Sequence, residues 1–97
     1  MATKRNNQYK IQMEEIALKD GSSSGKRLSF EFENHDDLFA ILESGKIDHH
    51  FVSEADRTEF LIGLKLFSEV MLRDKNNPLF DDFRPAFLEF MKKLKGK

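Results

Sequence analysis

The stretch Glu54–Arg73 constrains this chain most. Set on a helix at about 100° per residue, Phe60, Leu64, Phe67 and Met71 form one stripe. Leu61 and Leu72 widen it on one side, and Leu66 and Val70 on the other. Only Lys65, Glu69 and Arg73 mark a polar strip, which Ile62 interrupts. A helix apolar over most of its circumference must be covered on several sides, so 54–73 is expected to be the central and most buried element, with Phe67 in the core. Gly63 lies inside the apolar arc. Glycine in a helix interior costs about 1 kcal/mol against alanine, so its presence predicts a close approach of another backbone. Ser53 is placed to cap this helix, Glu54 and Asp56 suit its first turn, and Asn76-Asn77-Pro78 breaks the pattern after it.

The flanking segments have their own periods. Tyr9, Ile11 and Met13 alternate with Lys10, Gln12 and Glu14, which is a strand with one apolar face. Ile16 and Leu18 carry the alternation onward with a phase slip, which predicts a β-bulge at Glu14-Glu15 that sets Met13 and Ile16 on one side. Lys19–Lys26 reads as a flexible Gly/Ser loop. Leu28, Phe30 and Phe32 alternate again, so the two strands make an antiparallel hairpin. Asn34 is expected to cap a first helix, with Asp36 and Asp37 in its first turn, Leu38, Ile41 and Leu42 on its buried face and Gly45 at its end. Residues 45–52 read as a connection. A third helix starts near Asp82, tolerates Pro85 in its first turn, and carries Phe83, Phe87, Phe90, Met91 and Leu94 on one face. The predicted class is α+β: an N-terminal antiparallel β-hairpin followed by three α-helices (ββααα). Residues 1–7 are expected to be a disordered terminus and 8–97 a single domain.

Composition narrows the function classes. Sixteen basic residues stand against 17 acidic ones for a net charge of −1, so the chain has no strong field to hold a polyanion. There are no cysteines, which fits a reducing compartment and removes cysteine nucleophiles. No apolar run approaches the roughly 18 residues of a membrane span, and the polar start lacks the apolar core of a leader, so the expected location is the cytoplasm.

Four features hint at chemistry and each has a plainer account. Gly21-Ser22-Ser23-Ser24-Gly25-Lys26 approaches a phosphate-binding loop, but it is one residue short, Arg27 replaces the metal-facing hydroxyl, and a strand follows where a helix is needed. His49 and His50, beside Asp48 and Glu54, are metal-ligand types, yet adjacent side chains diverge and a site needs three or four converging donors. His35 has no nucleophile to serve. The acidic pairs Glu14-Glu15, Asp36-Asp37 and Asp81-Asp82 are explained largely as helix-start residues. Ten phenylalanines fall mostly on inferred core faces, and the surplus suits a partner interface. No catalytic, cofactor or metal residues are therefore assigned.

Asn34-His35-Asp36-Asp37 leading into Leu38-Phe39-Ala40-Ile41, the block Gly63–Leu72, Asn77-Pro78-Leu79-Phe80, and Phe90-Met91-Lys92-Lys93-Leu94-Lys95 together resemble a bacterial family of about a hundred residues, domain of unknown function 3861. The resemblance implies a bacterial source and a stand-alone domain. It brings no activity or site residue with it.

The function expected from these readings is a non-enzymatic protein-interaction module. The alternatives are a nucleic-acid or nucleoprotein accessory factor using Lys92, Lys93, Lys95, Lys4 and Arg5, or a small metal-binding protein using His49 and His50. A two-stranded sheet leaves both edges open, and a homodimer would relieve this, either by strand extension or through the helix face carrying Leu66 and Val70.

Overall fold

The computed structural model describes residues 6–96. Of the N-terminal segment expected to be disordered, residues 1–5 lie outside the described residues, and Asn7 already begins a strand. The chain divides into two compact units, one ending at Asp36 and the other beginning at Asp37.

The first unit is the expected antiparallel hairpin of β1 (Asn7–Glu14) and β2 (Arg27–Asn34). Tyr9, Ile11 and Met13 lie directly opposite Phe32, Phe30 and Leu28. Directly opposed residues share a face, so one face of the sheet is apolar along these pairs. The other sets Gln8, Lys10, Gln12 and Glu14 against Glu33, Glu31, Ser29 and Arg27. Tyr9 stacks on Phe32 with ring centroids 5.5 Å apart, and its hydroxyl donates to the Asp36 carbonyl at 3.2 Å. Toward the loop the apolar face opens: Phe30, Leu28 and Met13 are 41%, 51% and 61% exposed.

The predicted bulge does not form. The register runs unbroken from Asn7↔Asn34 to Glu14↔Arg27, and one further bond joins the Glu15 N–H to the Lys26 carbonyl at 2.9 Å. The chain then leaves the sheet, and Ile16 stands 87% exposed beyond the ladder. At that point the Glu15 carboxylate is engaged by the loop, accepting from the Ser24 N–H at 2.6 Å and the Ser24 hydroxyl at 3.0 Å. The connection is thus the whole of residues 15–26, tied to itself rather than loosely spanning Lys19–Lys26.

The second unit contains α1 (Leu38–Ser44), α2 (Glu54–Arg73) and α3 (Phe83–Lys95), with short 3-10 turns at Asp48–His50 and Pro78–Phe80. α1 starts later than predicted. Asp37 caps it by accepting from the Ala40 N–H at 3.1 Å. Asn34 is still in β2; it is fully buried, and its Oδ1 accepts from the Asp36 N–H at 3.0 Å in a local turn. His35 therefore precedes the helix instead of sitting in its first turn. Gly45 ends α1 at φ 70, a left-handed conformation that suits glycine. Ser53 caps α2 as expected, accepting from the Asp56 N–H at 2.9 Å.

The core of this unit is Ile47, Leu61 and Leu94, with Ile41, Leu42, Phe51, Phe60, Leu64 and Met91 packed around it. On α2 the buried residues are Arg57, Leu61, Ser68 and Met71. That line is rotated by about 50° from the predicted Phe60–Leu64–Phe67–Met71 stripe. Phe67, expected in the core, is 40% exposed, with Phe80 and Phe83 set edge-on at 5.9 and 5.7 Å. Gly63 is also not where another backbone comes close: a Cβ there would meet nothing within 4 Å. Gly63→Ala is accordingly expected to stabilise the protein by about 1 kcal/mol in a urea melt, through helix propensity alone. A loss of stability would show that the position needs glycine.

Candidate interaction surface

α2 presents apolar residues on two sides. Leu61 on its buried line packs with Ile47 and Leu94, whereas Leu66 and Val70 lie roughly 140–180° round the helix from that line. Leu66 is half-buried and Val70 is 44% exposed. A helix that had only one neighbour to cover would carry polar side chains there. Along another edge of the same helix, Phe51, Phe60, Gly63 and Leu64 line an open groove flanked by the carboxylates of Asp56 and Glu59. Phe51 and Phe60 pack with centroids 4.9 Å apart and Phe60 meets Phe90 edge-on at 6.1 Å, so the groove wall is aromatic and braced from α3. The missing side chain at Gly63 keeps it open.

The polar groups near these surfaces hold the fold together. Arg57 is buried on α2, and its guanidinium donates to the Leu42 carbonyl at 3.0 Å, to Asp48 at 2.7 Å and to Glu54 at 3.3 Å. The Leu42 carbonyl belongs to the last turn of α1, where helical acceptors lack partners, so one side chain joins three segments. Arg84 does the same at the end of α2. It donates to the carbonyls of Met71, Asp74 and Lys75 at 3.0, 2.9 and 3.2 Å. Neither arginine was singled out by sequence reasoning, nor was Ile47. Nothing periodic marks them, because their contacts come from separate segments.

The expected divergence of His49 and His50 does not occur. Their rings lie tilted at 39° with centroids 4.0 Å apart, and His50 Nε2 lies 2.8 Å from the Leu94 carbonyl. Asp48, the acid beside them, is engaged by Arg57. His35 is exposed, 3.5 Å from the Asp36 carboxylate. Among the described residues no three His, Asp or Glu side chains converge as a metal set. In the hairpin unit Glu14 pairs with Arg27 and Glu15 accepts from Ser24, and in the helical unit Asp37 caps α1. At the end of α3, Lys92 pairs with Glu89 at 3.3 Å.

The Gly/Ser loop uses its N–H groups internally. Besides the Glu15 bonds, Asp20 accepts from the Ser22 hydroxyl at 2.6 Å and the Ser22 N–H at 2.9 Å. These bonds, the hydroxyl's first, hold the Asp20 carboxyl below its ordinary range. A depressed acid contributes stability above its unfolded pKa and loses it as pH falls through the folded value. The Ser22 amide resonance is therefore expected to titrate with a midpoint below that of a free aspartate, and Asp20→Asn should abolish the transition. A midpoint at or above the free value would contradict the geometry.

A hairpin followed by three helices, with aromatic and aliphatic side chains open on both units, defines a small α+β protein. The chain belongs to the family DUF3861, described as a domain of unknown function with a solved structure, whose model matches residues 7–96. It is also similar to a protein of unknown function from Pectobacterium atrosepticum, known from a crystal structure. The two share 38% identity over 95% of this chain and 99% of that chain, with a TM-score of 0.82. No curated protein matches. No helix among the described residues is long and apolar enough to cross a membrane.

Proposed function

We infer that this chain is a non-enzymatic protein-interaction module, acting as one domain over residues 8–97 in a bacterial cytoplasm. The observation that carries this reading is Val70. It is an apolar β-branched residue, 44% exposed, on the side of α2 away from the core line, with Leu66 one turn before it. Water-facing helix positions favour polar side chains, and Val70 with half-buried Leu66 departs from that rule. The proposed contact face is Leu66 with Val70. A photoreactive residue placed at Val70 in the source cell tests it, with the same group at exposed Lys75 as control. The expected result is a discrete adduct with another protein from position 70 and none from position 75. Equal labelling from both positions, or no discrete adduct from position 70, would overturn the reading.

A further inference from the structure

We propose that the outer edge of β1, which pairs with no strand among the described residues, pairs with the β1 edge of a second copy, building a four-stranded antiparallel sheet with Gln12 on the two-fold axis. This rests on the reading of the chain as an interaction module, but on a different surface from Leu66 and Val70.

The hydrogen-bond phase of the hairpin supplies the first part of the argument. The Glu15 N–H donates to the Lys26 carbonyl, so Glu15↔Lys26 is a bonded pair. Antiparallel pairs alternate between bonded and non-bonded. Met13, Ile11 and Tyr9 therefore spend their backbone groups on β2, whereas Glu14, Gln12 and Lys10 point theirs outward from the sheet. The outward row belongs to the residues whose side chains form the polar face.

Charge supplies the second part. A two-fold axis normal to the sheet keeps the apolar faces of both copies on one side only if residues of like parity are opposed. With Gln12 opposite Gln12, Lys10 meets Glu14 of the second copy and Glu14 meets its Lys10. Within each hairpin, Lys10 is opposite Glu31, and Glu14 is bridged by Arg27 at 3.5 Å. The row across all four strands then reads Glu31, Lys10, Glu14, Arg27, strictly alternating in sign. Opposite charges in directly opposed positions stabilise a ladder and like charges destabilise it. Centring the axis on Lys10 or on Glu14 would oppose like charges, and centring it on Ile11 would set Lys10 against Gln12 without a charge partner. The Gln12 register is the complementary one.

The same register extends the apolar face. Ile11 falls opposite Met13 of the second copy, giving two rows of Phe30, Ile11, Met13 and Leu28. Met13 and Leu28, among the most exposed of these in one copy, gain neighbours. A two-stranded sheet is marginal by itself, and four strands with a common apolar face are not.

The test uses the full chain. Light scattering across a concentration series should rise from 11.3 kDa to about twice that mass. Gln12→Pro removes an outward N–H that the hairpin itself does not use, and is expected to hold the protein at the monomer mass with its circular dichroism unchanged. Because the chain has no cysteine, Gln12→Cys introduces a single thiol. Bonded pairs have Cα atoms about 5.5 Å apart, within the roughly 4.4–6.8 Å range of disulfides, so mild oxidation should give a covalent dimer. Ser29→Cys on the β2 edge and Val70→Cys on α2 should give none. A monomer at high micromolar concentration, or a dimer locked by Ser29→Cys or Val70→Cys but not by Gln12→Cys, would overturn the proposal. Adducts from position 70 report on the other surface, so either reading can fail without the other.

Discussion

Leu61→Ala is expected to cost about 2–5 kcal/mol in a urea melt, a large part of the roughly 5–15 kcal/mol that holds a small domain together. Leu61 is 2% exposed and joins Ile47 and Leu94 in the core of the helical unit. Truncation removes buried methyl groups and leaves a cavity. Ile47 lies in the α1–α2 connection and Leu94 on α3, so that space is walled from separate segments. Phe67→Ala removes a larger side chain, yet it should cost less, about 1–2 kcal/mol, because the ring is 40% exposed and its removal returns less apolar surface to water. This ranking opposes the one that hydrophobic periodicity alone gives. A Phe67→Ala loss larger than that of Leu61→Ala would mean that the predicted stripe, and not the observed line, is the core.

The reason for that rotated face is visible in the residues. The buried line of α2 runs through Arg57 and Ser68, which a count of apolar positions excludes, so the predicted stripe moved toward Phe60 and Phe67. The limits of the same helix were legible because its stops are local: the Ser53 hydroxyl at one end and Asn77-Pro78 soon after the other. At the hairpin, alternation identified both strands and their shared apolar face. It could not end β1, because Ile16 and Leu18 keep the rhythm after the ladder has ended, where the Glu15 carboxylate bonds within the loop. Asn34 has good N-cap chemistry, but Asp37 offers the same chemistry three residues on, where β2 has ended. Lys10 and Glu14, opposite in charge, stand two residues either side of Gln12, a spacing that sequence reading takes only as strand alternation. Its meaning depends on which backbone groups point outward, and that follows only from the Glu15–Lys26 bond. Arg57 and Asp48 are nine residues apart, and no period or motif announces their pairing.

That pairing gives the second large effect, and its sign is asymmetric. Asp48→Ala is expected to cost about 2–3 kcal/mol, more than Arg57→Met at about 1–2 kcal/mol, although the two substitutions break the same 2.7 Å contact. Arg57 is the buried partner; its side chain is 10% exposed, against 54% for Asp48 and 88% for Glu54. Removing Asp48 leaves the guanidinium in the interior with the Leu42 carbonyl and a solvent-exposed Glu54, a poor exchange for a short charge-assisted bond. Removing the arginine leaves Asp48 and Glu54 in contact with water, which solvates them. Only the Leu42 carbonyl at the end of α1 loses its cap, while the methionine refills the space along the side of α2. The double variant should then be close to Arg57→Met alone, because Asp48 has nothing left to neutralise, so the cycle yields a coupling energy near the full Asp48→Ala loss. Denaturant melts of the four proteins measure all of it. An Arg57→Met loss greater than that of Asp48→Ala would show that the guanidinium acts as a structural cap first and as a buried charge second.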